Sequence, residues 1–237
     1  MSRSLSTDRA VTADPDVGAG AGDDGVDDGS DDEVDGRTAR RDRNRLAVLD
    51  AVLELFSEDN LAPTPEEVAR RSGVSLRSVY RYVADRDDLI RAAIERNQAH
   101  VRPLFALASI GVGPRGPRID AFVRARLRGY EAAAATARAA RLQAPANRLI
   151  RDQLDAARRD LRAQLEQQFE PELRILPPSQ RRAVTAAADA LTQFETLDYY
   201  RRHRGCSLAD TQRLLAGALD VLLLGGRTAG PTGGADR

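Results

Sequence analysis

TPEEVARRSGVSLRSVYRYVADRDDL, residues 64–89, reads as two short helices joined by a tight turn, followed by the start of a third. Thr64 is a strong N-cap. Pro65 takes the first helical position, where its missing N–H costs nothing, and Glu67 completes a Thr-x-x-Glu capping box. Gly73 stands where a positive φ carries no steric penalty, so the first helix should end at Ser72. Ser75 caps the second helix, in which Val79 and Val83, four apart, share a buried face. Leu76, Arg77, Ser78, Tyr80, Arg81 and Tyr82 are left for display. Asp85, with Asp88 three residues later, opens the third helix.

A small residue at Ala69, a glycine four later and an aliphatic residue six after that is the spacing of a helix-turn-helix: the alanine lets two helices approach, the glycine makes the corner, and Val79 packs into the angle. Taken alone, the same spacing also fits an ordinary helical hairpin. Upstream, Leu46, Leu49, Val52, Leu53 and Phe56 repeat three and four apart and predict a helix from Thr38 to about Glu58 that roofs the pair, with Asn60-Leu-Ala-Pro as its exit turn. Downstream, Leu89, Ala93, Ile94, Val101 and Leu104 form the apolar stripe of a helix that Pro103 should bend or end. The GVGPRGP run, residues 111–117, reads as a loop.

The rest is helical in pattern. Ile119, Phe122, Val123, Leu127 and Tyr130 line one helix, and Leu149, Leu154, Leu161, Leu165 and Phe169 another, separated near Pro145. A further helix runs through Val184, Ala187, Leu191, Phe194 and Leu197 to near Arg204. The last, capped by Ser207, carries Leu208, Leu214, Leu215, Leu219, Leu222 and Leu223 and stops at Gly225-Gly226. No strand candidate stands out, so the expected fold is all-α.

Formal charge is zero, from 36 basic and 36 acidic residues. Every basic residue is arginine, which reads as the coding bias of a GC-rich genome. The charge is unevenly spread. Residues 1–36 hold eleven acids against two arginines, with almost nothing to bury, and are expected to form a disordered acidic tail that competes with DNA for the arginines behind it. Residues 37–90 carry ten of each sign, so bulk basicity gives no argument for nucleic acid; Arg37, Arg40, Arg41, Arg43 and Arg45 nevertheless cluster at one end. One cysteine, Cys206, excludes an internal disulfide framework, and no stretch approaches the roughly 20 apolar residues of a membrane span. The expectation is a cytoplasmic protein without membrane contact and with residues 227–237 as a flexible tail.

Chemistry has few candidates. No Ser-His-Asp set, carboxylate pair or glycine-rich phosphate loop can be assembled, so no catalytic residue and no cofactor are expected. The aspartates of the tail do not fit the register of a calcium loop. His203 and Cys206, with Asp198 upstream, are too few for a metal site, and His100 is isolated.

Thr64 to Leu89, with a helix before it and an all-helical domain after it, resembles the TetR family of transcriptional regulators. The likeness lies in the Thr cap, the Gly-Val-Ser turn, the tyrosine of the second helix and the basic residue before the next. Where the family often carries histidine, lysine and phenylalanine, this chain has Tyr82, Arg86 and Val83. The resemblance implies a helix-turn-helix DNA-binding domain over residues 37–84 and a ligand-binding and dimerisation domain over 85–226, joined by a connecting helix. It implies that Ser75 caps a recognition helix whose Leu76, Arg77 and Ser78 face base edges of double-stranded DNA, and that Thr64, Tyr80 and Arg86 hold phosphates. Arg41, Arg45, Arg81 and Tyr82 complete the expected DNA face.

It further implies a homodimer through the last two helices on a palindromic operator, and a repressor released by a small-molecule effector. The apolar faces nominate Phe105, Phe122, Leu127, Tyr130, Leu154 and Phe194 as the wall of the effector pocket, all of which also fit plain core. Arg126 and Arg138 could meet an acidic ligand, while most arginines of this domain are expected to be solvated, and Tyr199 and Tyr200 fit either the pocket or the dimer seam. The competing expectation is a helical interaction or ligand-binding protein that uses its N-terminal unit for packing alone.

Overall fold

Caps set the first elements. The Thr64 Oγ1 accepts from the Glu67 N–H at 3.2 Å while Glu67 Oε2 accepts from the Thr64 N–H at 2.7 Å, and Gly73 closes the helix at φ 69°. A computed structural model describes residues 29–224; residues 1–28 and 225–237, which hold most of the expected acidic tail and the C-terminal tail, lie outside the described residues. All regular structure among the described residues is helical. By their backbone contacts, residues 1–40 and 41–237 separate into two units. The described part of the first, residues 29–40, is helix, and the core and cavity described below belong to the second.

The helices are α1 Gly29–Ser57, α2 Pro65–Ser72, α3 Leu76–Tyr82, α4 Arg86–Val101, α5 Arg115–Gln143, α6 Arg148–Gln168, α7 Glu170–Leu173, α8 Pro178–Thr192, α9 Phe194–Asp198 and α10 Leu208–Leu224. A 3-10 turn, Arg102–Phe105, follows α4 at Pro103. A single π turn, Tyr199–His203, follows α9. No described helix is long and apolar enough to cross a membrane.

Two apolar clusters hold the chain. In the first, Val48, Val52 and Phe56 of α1 meet Val68 of α2, Val79 of α3 and Leu89, Ile90 and Ile94 of α4, with Ala139, Ala140 and Ile150 closing it from α5 and α6. In the second, α5 supplies Ile119, Phe122, Val123 and Leu127, which meet Leu165 and Phe169, Val184 and Ala188 of α8, and Leu215, Leu219 and Leu223 of α10. Helix α5 is the common member, packing on α4, α6, α9 and α10. Each fully buried aliphatic side chain contributes about 1.5–3 kcal/mol.

Several expectations shift. The first helix begins at Gly29, not Thr38, so residues 29–36 are helical where disorder was expected. Once the segment around Phe56 is packed, each added residue gains a hydrogen bond at small entropic cost, and an acid-rich composition suits a helix start. Leu46 is 43% exposed, and its place in the core is taken by Val48 and Leu55. Leu149 is 59% exposed, and its neighbour Ile150, four before Leu154, takes its place on the inward face of α6. The loop expected over residues 111–117 ends earlier, because α5 starts at Arg115 and Pro117 sits in its first turn, where no N–H is needed. Val83 lies past the end of α3 in extended backbone but is buried as expected.

The helix expected to run unbroken to Arg204 stops at Thr192. Gln193 is extended at ψ 161°, the Thr192 hydroxyl donates back to Ala188 O at 2.9 Å, and the Thr196 hydroxyl donates to Ala190 O at 2.7 Å. These side chains offer the backbone an alternative to the helical ladder.

Candidate functional site

Two surfaces carry chemistry: the outer face of α3 and a cavity beside α4 and α5. Helix α3 is held by Ser75, whose Oγ accepts from the Ser78 N–H at 3.3 Å and donates to Ser78 Oγ at 3.0 Å. Val79 is fully buried, and at 100° per residue the opposite arc consists of Arg77, Tyr80 and Arg81, all exposed. Arg77 forms no hydrogen bond or ion pair among the described residues.

The other nominated residues fall around this arc. Leu76 and Ser78 are half-buried at its edges, while Tyr82 turns inward against the first cluster and its hydroxyl accepts from Arg81 Nη2 at 3.2 Å. Arg86 donates through Nε to Pro63 O at 3.1 Å and through Nη2 to Ala62 O, which ties it to the loop ending in the Thr64 cap. Arg41 and Arg45 are exposed on α1. Neighbouring arginines are already spent on ion pairs: Arg71 grips Glu58 at 2.7 Å, and Arg96 grips Asp50 at 2.8 Å.

The cavity has a volume of about 510 Å³ and lies among α4, α5, α6 and the α8–α9 junction. Of the nominated wall, it includes Phe105, Arg126, Tyr130, Leu154 and Phe194. Phe122 and Leu127 are not on it. Phe122 lies one helical turn before Arg126, edge-on to Phe169 at 5.2 Å, and Leu127 faces the second cluster. Much of the remaining wall is alanine, including Ala133, Ala137 and Ala140 of α5 and Ala156 and Ala157 of α6. Gly129 lets the Phe105 ring lie directly on α5: a Cβ at that position would come within 2.2 Å of the ring.

Arg126 is the largest fully buried side chain, 2% exposed, with its guanidinium 4.4 Å above the Phe122 ring. It donates to Gln164 Oε1 at 2.7 Å and to Leu161 O at 2.6 Å, and its Nε is buried without an acceptor. Burial pulls its pKa down to about 10, with the charge of Asp189 acting the other way, so it remains a cation at neutral pH. Arg141 lies over Phe194 at 3.9 Å and pairs with Glu195 at 2.9 Å. Gln153, also on the wall, has a buried Oε1 without a donor.

From this wall a polar chain leads to the α1–α2 corner. The Tyr130 hydroxyl donates to Asp198 Oδ1 at 2.8 Å, and burial together with that bond holds the phenol well above its usual pKa. Asp198 Oδ1 also accepts from Arg138 Nη1 at 3.0 Å, and Arg138 Nη2 stands 3.8 Å from Asp59. Arg202 grips Asp59 with two bonds, at 2.7 and 3.1 Å, which lowers the Asp59 pKa. Asp59 is the one non-glycine residue with positive φ, 65°, among the described residues.

Gln164, Arg141 and Gln153 were not nominated from sequence. Gln164 sits beside Leu165 and three after Leu161 on the α6 face, a spacing that places it near the wall; the other two become visible only through partners on distant helices. Tyr199 is 50% exposed and Tyr200 packs on the second cluster, so neither lines the cavity. Asp198 is committed to Tyr130 and Arg138, and no group of three potential metal ligands occurs among the described residues. No family model, no curated protein and no solved structure matches this chain.

Proposed function

We propose that the chain is a ligand-responsive, dimeric DNA-binding transcriptional regulator of the TetR type, acting as a repressor that a small molecule releases from a palindromic operator. The observation that carries this reading is the outward arc of α3. Arg77, Tyr80 and Arg81 project from a capped helix whose back is pinned by Val79, and Arg77 has no partner among the described residues. In this reading α2 and α3 are the helix-turn-helix, and Arg77 reads a guanine edge in the major groove. Tyr80 and the exposed Arg41 and Arg45 hold phosphates.

The cavity supports the regulatory half. Its wall includes Ile94, Gln98 and Val101 of α4, the helix that follows α3, so an occupant that shifts α4 moves the DNA face. The Tyr130–Asp198–Arg138–Asp59 chain is a second mechanical route to the same unit. For the dimer, α10 exposes Leu214, Val221 and Leu224 along one stripe, opposite its buried Leu215 and Leu219, and α8 exposes Ala183, Ala187 and Ala190.

Selection of bound DNA from a random pool tests the reading: it should return an inverted repeat. Arg77→Ala should then weaken binding by about 1–3 kcal/mol and relax preference at one base pair of each half-site. The competing reading, a ligand-binding protein without DNA recognition, draws on the neutral balance of residues 37–90. It wins if the double variant Arg77→Ala/Tyr80→Ala leaves DNA affinity unchanged.

A further inference from the structure

Charged side chains buried as deeply as Arg126 are ordinarily paired with an opposite charge. Arg126 lines the cavity, yet both of its hydrogen bonds go to neutral oxygens, those of Gln164 and Leu161, and its Nε has no acceptor. The carboxylate whose field reaches it, Asp189, is engaged elsewhere: Arg162 holds it at 2.7 Å and the Gln193 amide at 2.6 Å. The Phe122 ring, 4.4 Å from the guanidinium carbon, offers only weak compensation. The other deeply set arginine of the wall, Arg141, is neutralised by Glu195. Arg126 is therefore the one cation on this wall that is both buried and without a carboxylate among the described residues.

Most of the wall is apolar, with alanines, Phe105, Leu154 and Phe194; it also includes Asn97, Thr136, Thr192 and Gln193 and the exposed carboxylate of Asp160, which faces Arg102 at 3.8 Å. We infer that the effector is an amphipathic organic carboxylate, its anionic head paired with Arg126 and its apolar body laid along the alanine-lined length of the cavity. The inference rests on reading this cavity as the effector site. A planar guanidinium suits a carboxylate through parallel N–H donors. Gln164 keeps the guanidinium in place, since its amide donates to Phe105 O at 2.8 Å while its oxygen accepts from Arg126.

The test uses the full chain without DNA and two matched pairs of probes, octanoate with octanamide and 4-phenylbutanoate with 4-phenylbutanamide, titrated by calorimetry near neutral pH. In at least one pair the carboxylate should bind tenfold or more tightly than its amide. Arg126→Gln should bring the ratio within twofold and leave the amide's affinity within threefold of its starting value. Gln164→Glu supplies a carboxylate from inside the protein at the 2.7 Å position, at the cost of the amide's bond to Phe105 O, and should abolish the preference. It also serves as the deciding variant if Arg126→Gln does not fold.

Equal affinity for acid and amide in the unaltered chain, a preference that survives Gln164→Glu, or no binding of any probe overturns the inference. Its failure is separable from failure of the regulator reading. A chain that prefers carboxylates but binds no operator keeps the anion site and loses the regulator. A chain released from its operator by neutral ligands alone does the reverse.

Discussion

The unit built by α1, α2 and α3 and the cavity beside α5 handle arginine in opposite ways. On α3, Arg77 and Arg81 point to solvent and the apolar side chains do the packing. In the cavity, Arg126 and Arg141 are drawn inward against aromatic rings, and space is left by small side chains. The first arrangement costs little, because a solvated guanidinium keeps its water. The second is sustained only by partners, which is why each inward arginine has a set of neighbours to be counted and why a missing one is informative.

Removing the pin of the first region should have the largest effect. Phe56 is fully buried at the centre of the first cluster, and Phe56→Ala should cost about 3–5 kcal/mol by chemical denaturation. If the two regions are independent, ligand affinity in the cavity should persist below the new midpoint; a parallel loss would show them to be one cooperative unit, as the shared Ala139, Ala140 and Ile150 lead us to expect.

Gly129→Ala attacks the second region instead. The new methyl requires the Phe105 ring to leave its seat, so stability should fall by about 1–3 kcal/mol and probe affinity should change with it, while α3 stays folded. Unaltered ligand binding would remove Phe105 from the working wall.

Gly73→Ala is a cleaner, smaller perturbation. Nothing lies within 4 Å of the added Cβ, so the cost of about 1–2 kcal/mol comes only from the left-handed backbone and is confined to the α2–α3 corner. On the proposed regulator reading it should weaken DNA binding at unchanged ligand affinity.

The smallest effect is a pH dependence. Hydrogen bonds from Arg71 to Glu58, from Arg202 to Asp59, from the Thr64 N–H to Glu67 and from the Ala84 N–H to Asp88 hold these carboxyls below their usual values of 4.5 for Glu and 3.8 for Asp. Depressed folded values mean that their stabilisation is fully present above pH about 4.5 and is lost as pH falls through the folded values. Glu195 and Asp210 in the C-terminal helices are lowered as well, so circular dichroism melts should show the chain as a whole losing stability below about pH 4, with the melting temperature flat from pH 5 to 7.

How much of this was readable beforehand follows from the range of the interactions. The capping box at Thr64, the left-handed Gly73 and the caps at Ser75 and Asp85 are made between residues two to four apart, and each was legible. Helix breaks set by side chain to backbone bonds, such as that at Thr192 and Gln193, compete closely with continuation and were not. Arg126 was legible only as one of two arginines, with Arg138, that could meet an acidic ligand. Of the cavity it faces, the bulky residues Phe105, Tyr130, Leu154 and Phe194 were legible, while the alanines that make the room left no mark. The partners of Arg141 and Gln153 lie 54 and 58 positions away and leave no local mark.

Asp59 has one more consequence, which concerns the order in which the molecule is completed. The arginine that clasps it stands 143 residues later in the chain. At synthesis rates of about 5–20 residues per second, the corner between α1 and α2 emerges roughly 7–30 seconds before Arg202 exists. During that interval local bonds, such as that from the Asn60 N–H to Leu55 O at 3.0 Å, joined once it is made by the looser 3.8 Å approach of Arg138, keep residue 59 in its left-handed conformation. The nascent N-terminal unit therefore has to stand unclasped, and the fastening of its corner marks the arrival of the C-terminal helices.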